Sequence, residues 1–163
     1  MSKEFSVSFE TSGLKSDISI PQENVDKYIQ SCLHDSCVLV RGYAQNNHNF
    51  EDRTGRLRRA IRFYVFNELQ TGVVYVDPTI ADYGVYVHEP TGVYGPKHER
   101  YDIFPVRAKA LSFFWKRLGE WVYLKHVSHP GSKADQFLYK ALDDNKDKIN
   151  KIFADGLRRL ING

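Results

Sequence analysis

Apolar and polar residues alternate at Phe5, Val7 and Phe9, the period of a half-buried strand over Glu4 to Glu10, and Ser12-Gly13 ends the run. From Pro21 the period changes. Val25, Tyr28, Ile29, Cys32, Leu33, Ser36, Leu39, Val40 and Tyr43 recur at helical spacing. They predict one helix of about 25 residues that starts on a favourable first-turn proline and ends in the polar Asn46-Asn47-His48-Asn49 stretch. Alternation returns at Ile61, Phe63 and Val65 and runs to Glu68. Thr71-Gly72 separates it from Val73-Val74-Tyr75-Val76, so a β-hairpin closed by Asp77-Pro78 is expected.

Ile80 to Glu89 fits a short helix with Tyr83, Tyr86 and Val87 on one face, followed by a projecting loop, Pro90-Thr91-Gly92-Val93-Tyr94-Gly95-Pro96. Ile103 to Val106, Ala110 to Trp115 and Trp121 to Val127 read as short strands, and His129-Pro130-Gly131 as a breaker that fixes the entry to the last helix. Leu138, Leu142, Ile149, Ile152, Phe153, Leu157, Leu160 and Ile161 then mark a long amphipathic C-terminal helix. A small, mainly antiparallel sheet packed with two long helices makes the class α+β, in a single domain over residues 1–163 without repeats or low-complexity tracts.

Composition changes this picture little. With 42% hydrophobic and 26% charged residues the chain is an ordered globular one, and its net charge of +3 is too small to mark a nucleic-acid binder by average. The N-terminus has no signal-peptide core and no apolar run spans a bilayer, so a cytoplasm-like compartment and no membrane partner are expected. Cys32 and Cys37, five residues apart, lie about 140° apart around a helix, which suits neither a disulfide nor a metal pair; they read as reduced thiols.

Candidate chemistry is sparse. Arg53, Arg56, Arg58, Arg59 and Arg62 crowd ten residues and suit a carboxylate- or phosphate-bearing partner. Specific nucleic-acid recognition would add a groove-entering helix or a sheet of exposed aromatic stackers, and neither is discernible from the sequence. His88, His98, His126 and His129 with Glu89, Glu99 and Asp102 lack metal-binding spacing, and Asp143, Asp144 and Asp147 read as a solvated helix face. No nucleophile elbow or phosphate loop occurs, so the expectation is a protein without enzymatic activity, cofactor or metal. The aromatics from Tyr83 to Phe137 exceed what one small sheet buries on its inner face, and together with arginine they favour a protein interface.

Four ordered segments carry a resemblance. They are Thr54-Gly55-Arg56-Leu57-Arg58-Arg59-Ala60-Ile61; Tyr83-Gly84-Val85-Tyr86-Val87-His88-Glu89 with Thr91-Gly92; Ile103-Phe104-Pro105 with Lys109-Ala110-Leu111; and Val127-Ser128-His129-Pro130-Gly131-Ser132-Lys133 leading to Phe137-Leu138 and Ala141-Leu142. As a set, over roughly residues 20 to 160, they resemble the head-tail joining family, that is the neck or tail-completion proteins, of long-tailed phages related to the lambdoid siphophages. Gly84 stands where the family commonly has alanine, and Asp135-Gln136 where it has proline before phenylalanine.

The resemblance implies a structural virion protein, assembled in the host cytoplasm into a homo-oligomeric ring, a hexamer or dodecamer, at the head-tail junction. Its implied partners are the head-completion or connector proteins and the tail-tube or tail-terminator proteins, with packaged DNA met non-specifically in the ring lumen. Within that frame the candidate contacts are the five arginines above and, in the loop Pro90 to Arg100, Tyr94, Lys97, His98 and Arg100. The alternative is a small nucleic-acid-binding module.

Overall fold

A computed structural model describes residues 6–10 and 21–162, and its contacts fall into two compact units, 1–88 with 135–163 and 89–134. The class is α+β, as the periodicities predict. Of the expected N-terminal strand, Glu4 and Phe5 lie outside the described residues, and β1 covers Ser6–Glu10.

In the first unit α1 (Gln22–Asn46) follows Pro21 directly and buries Tyr28, Ile29, Cys32, Leu33, Ser36, Cys37, Val40 and Ala44 in one stripe. It ends where amide side chains compete for its carbonyls: Asn46 donates to the Gly42 carbonyl at 2.8 Å and Asn47 to that of Tyr43 at 3.0 Å. The arginine segment contains a one-turn helix. Gly55, at φ +69°, leads into α2 (Arg56–Ala60), which buries Leu57 and Ala60 against Ala81. The burial of those two apolar side chains fixes the turn in place.

β2 (Ile61–Phe66) and β3 (Thr71–Val76) form the expected hairpin, and β3 is central in an antiparallel sheet of order β1-β3-β2. Phe63, Val65 and Val76 pack with Ile61 and Val74 against Cys37, Val40 and Ala44 of α1; Arg62, Tyr64 and Phe66 point to the other face and are exposed. The turn is Asn67–Gln70, closed by the Gln70 N–H on the Asn67 carbonyl and with Gln70 at φ +47°. Thr71-Gly72 therefore lies inside β3 rather than at the turn. Gly72 is buried opposite Val65, where a residue without a side chain continues the ladder as well as any other.

α3 (Gly84–His88) is shorter than expected, and its buried positions are Gly84 and His88, with Ala81 just before it; Tyr83 and Tyr86 face outward. A Cβ on Gly84 would stand 2.6 Å from Val76 Cγ1, so the backbone approaches the sheet more closely than a larger residue allows. The C-terminal helical pattern is likewise two helices, α4 (Phe137–Asp143) and α5 (Lys146–Asn162). They part at the buried Asn145, whose side chain donates to the Ala141 carbonyl at 2.8 Å and accepts from Lys148 at 3.2 Å. Ile152, Phe153, Leu157 and Leu160 of α5 close over Tyr28, Ile29, Cys32 and Leu33 of α1.

The second unit holds two antiparallel ribbons. β4 (Tyr101–Ile103) pairs with β7 (Val127–His129), and β5 (Leu111–Trp115) with β6 (Glu120–Leu124). The expected strand to Val106 stops at Ile103, ahead of Pro105, which has no N–H to donate; the strand expected from Trp121 to Val127 divides at Lys125-His126 into β6 and β7. No apolar side chain between 89 and 134 is buried.

A backbone clasp holds this unit's ends. The Thr91 N–H donates to the Ser132 carbonyl at 2.9 Å, the Val93 N–H to Pro130 at 2.8 Å, and the Ser132 N–H to the Thr91 hydroxyl at 2.9 Å. Gly92 (φ +61°) and Gly131 (φ +92°) meet at this point, and a Cβ on Gly131 would fall 2.0 Å from the Thr91 carbonyl oxygen. His129-Pro130-Gly131 thus serves the clasp. Asp135 sets the entry to α4: its carboxylate accepts the Asn49 and Phe50 N–H groups at 2.7 and 2.8 Å, and its own N–H donates to the Val87 carbonyl at 2.9 Å.

Candidate interaction surface

The arginine cluster is largely committed to its own unit. Arg56 forks onto the Ile80 carbonyl at 2.7 and 3.1 Å, Arg53 meets Glu51 at 2.9 Å, and Arg58 and Arg62 lie 3.6 Å from Asp52 and Asp77. The Thr79 hydroxyl and N–H both bond the Asp77 carboxylate and, with a smaller part from Arg62, hold it below the usual carboxylate range. Arg59 alone of the five makes no side-chain contact of this kind among the described residues. The geometry shapes the turn into α2 and leaves one guanidinium open for a partner.

The loop from Pro90 to Arg100 is tied down at its start by the clasp and by a 3₁₀ turn over Gly92–Tyr94. Tyr94 stays half exposed beneath Lys133, whose ammonium lies 5.8 Å from the ring centre. His98, at φ +52°, has its ring Nδ1 3.2 Å from the Val93 carbonyl, and Lys97 and Arg100 are exposed.

The sequence marks both strands of the β5–β6 ribbon but not that they pair into an exposed aromatic surface. Its register sets Phe114 opposite Trp121 and Ser112 opposite Tyr123 on one face, and Phe113 opposite Val122 and Trp115 opposite Glu120 on the other. Trp121 is 63% exposed, Tyr123 72%, and the tip residue Leu118 55%. An exposed aromatic sheet, undetected in the sequence, therefore exists. Alternation was the available signal, but Phe113-Phe114-Trp115 breaks it by placing aromatic side chains on both faces of one strand.

A second apolar patch lies at the far end of β2 in the first unit, where Tyr64 and Phe66 meet edge to face at 4.5 Å and Leu69, in the following turn, is 70% exposed. Beside that turn a groove of about 350 Å³ is walled by Asp26, Ile29 and Leu33 of α1 and by Asn67 and Glu68. Its charged lining is acidic only. Another groove of about 280 Å³, between α1 and α5, is lined by Tyr28, Cys32, Asp35 and Arg159.

Both cysteines are buried and free, and burial pushes the Cys37 thiol up to about 11. The Tyr28 hydroxyl, donating to the Phe153 carbonyl, is raised to about 12, first by burial and then by Cys32. His88 is buried edge-on between Phe137 and Tyr139. No group of three His, Cys, Asp or Glu side chains positioned for a metal occurs among the described residues, and no described helix is long and apolar enough to cross a membrane. Comparison of the chain with protein-family models, curated proteins and solved structures finds no match.

Proposed function

We propose that the chain is a structural subunit of a tailed-phage virion, forming a ring at the head-tail junction that joins the capsid connector to the tail and acts without catalysis. The observation that carries this reading is the β5–β6 ribbon, with large apolar side chains exposed on both faces in a unit that buries none. Exposed contiguous apolar surface of this kind marks a protein interface. Among the described residues the outer edges of β2, β5 and β6 pair with no further strand, so a neighbour can extend them. The four ordered segments that resemble the neck family supply the virion context.

The second reading, a small nucleic-acid-binding module, draws on the same aromatics, since exposed rings stack on bases. Deleting the gene from a producing phage separates the two. The structural reading expects DNA-filled heads and unattached tails to accumulate, and intact particles to carry the protein in a ring at the junction by electron microscopy. Normal particles lacking the protein would overturn it.

A further inference from the structure

We infer that the tip of the β5–β6 ribbon docks onto the β2–β3 turn of a second copy of this chain, a head-to-tail contact that repeats from copy to copy. The inference rests on the ring reading above and names the surfaces that make the ring.

The ribbon's charge pattern selects the occupant. Of its ten strand residues only Glu120 is charged. The cations stand at its ends: Lys116 and Arg117 at the tip beside Leu118, and Arg107, Lys109 and Lys125 at the base. A nucleic acid stacked on Phe114, Trp121 and Tyr123 would find no cation along either face for its phosphates, whereas nucleic-acid grooves line their whole track with them. The pattern suits a protein surface, apolar in the middle and acidic where the tip lands.

The β2–β3 turn of this chain has that chemistry. Leu69 and Phe66 are exposed there, and Asp26 and Glu68 flank a groove whose floor is Ile29 and Leu33. Its volume of about 350 Å³ lies at the small end of ligand sites, sized for the Leu118 side chain and its flanks. Among the described residues Lys116, Arg117, Asp26 and Glu68 take part in no ion pair; Asp26 accepts a hydrogen bond from the neutral Gln22 side chain at 2.9 Å, which leaves its charge to be met by a partner. Because the two patches differ, each copy offers one and receives on the other. Such heterologous contacts close into rings when the rotation per step permits.

The chain's only two tryptophans, Trp115 and Trp121, both lie on the ribbon, so their emission reports whatever covers it. The test measures sedimentation and tryptophan emission against concentration for four proteins. These are the wild type, Lys116→Glu/Arg117→Glu, Asp26→Lys/Glu68→Lys, and the chain carrying all four changes, with circular dichroism checking that each is folded. The wild type is expected to associate with a blue shift. Each double reversal should weaken association by about tenfold or more, and the fourfold variant should restore it.

A wild type that stays monomeric, unaltered association in either double variant, or no restoration in the fourfold one overturns the inference. So does a salt-sensitive quench of the tryptophans by a single-stranded oligonucleotide. Rings that persist in virions despite the reversals would move the contact elsewhere while leaving the ring reading intact. A junction without the protein strikes that reading itself.

Discussion

Cys37 stands in the core beside Val40 and Ala44, and its raised thiol value ties the stability of the first unit to alkali. A group whose folded value lies above its unfolded one stabilises fully below the unfolded value and loses that contribution as pH rises through the folded one. For Cys37 the loss therefore begins near its ordinary 9.0 and is complete around 11, and for Tyr28 it runs from 10.0 to about 12. Denaturant titrations between pH 7 and 11 should show stability falling by at most about 1.4 kcal/mol per pH unit for each proton released. Cys37→Ala should flatten the curve between 9 and 11, and an unchanged slope in that variant would refute the assignment. The sequence was informative about such residues one at a time. It placed both cysteines as reduced thiols on one helix, but it could not tell which carbonyl or carboxylate each arginine would find. Ile80 and Asp77 become neighbours of Arg56 and Arg62 only when the chain folds back.

At the level of elements, the clasp depends on Gly131 more than its place in a loop suggests. Its left-handed φ costs a side chain about 1–3 kcal/mol by itself, and the Thr91 carbonyl leaves a Cβ no room. Gly119 at the ribbon tip has a similar φ of +73° but open space around it. Gly131→Ala is expected to release the Val93 amide to fast hydrogen exchange, whereas Gly119→Asn should leave it protected. Equal behaviour of the two would show that clash is not the cause. The long helix α1 and the strand β2 were legible from their periods, whereas β3 and β5 showed only as short β-branched or aromatic runs. The clasp was not legible, since it joins Thr91 and Val93 to Pro130 and Ser132 across about forty residues with no periodic mark. Nor was the α4–α5 break. Leu142 and Ile149 are seven residues apart and keep helical phase, so only the buried bonds of Asn145 betray the interruption.

Across the whole molecule, the described apolar core belongs to residues 1–88 and 135–163, and the unit from 89 to 134 is held by two short ribbons and the clasp. Two-stranded ribbons are marginal in water. Amide exchange in the isolated subunit should therefore be fast over Tyr101–Ile103, Leu111–Trp115 and Glu120–Leu124 and slow over the buried stripe of α1, with the ribbons gaining protection on assembly. Uniformly slow exchange in the free subunit would count against a unit that its partners complete. The surplus of aromatics that pointed to an interface was visible in composition. Its address was not, because whether a ring lies inside or outside depends on which element covers it.

The hydrogen bond from the Asp135 N–H to the Val87 carbonyl has a consequence for how such a molecule can change. The chain departs from the first unit and returns to it at one 2.9 Å contact, so the intervening segment is an insertion with its two ends already joined. Lengthening that segment costs little, because each doubling of a closed loop adds only about 0.6 kcal/mol of closure entropy. The packing of α1 against β2, β3 and α5 would not register the difference. One scaffold can in this way carry arms of different length and chemistry, each grafted at the same pair of residues and free to vary with its partner.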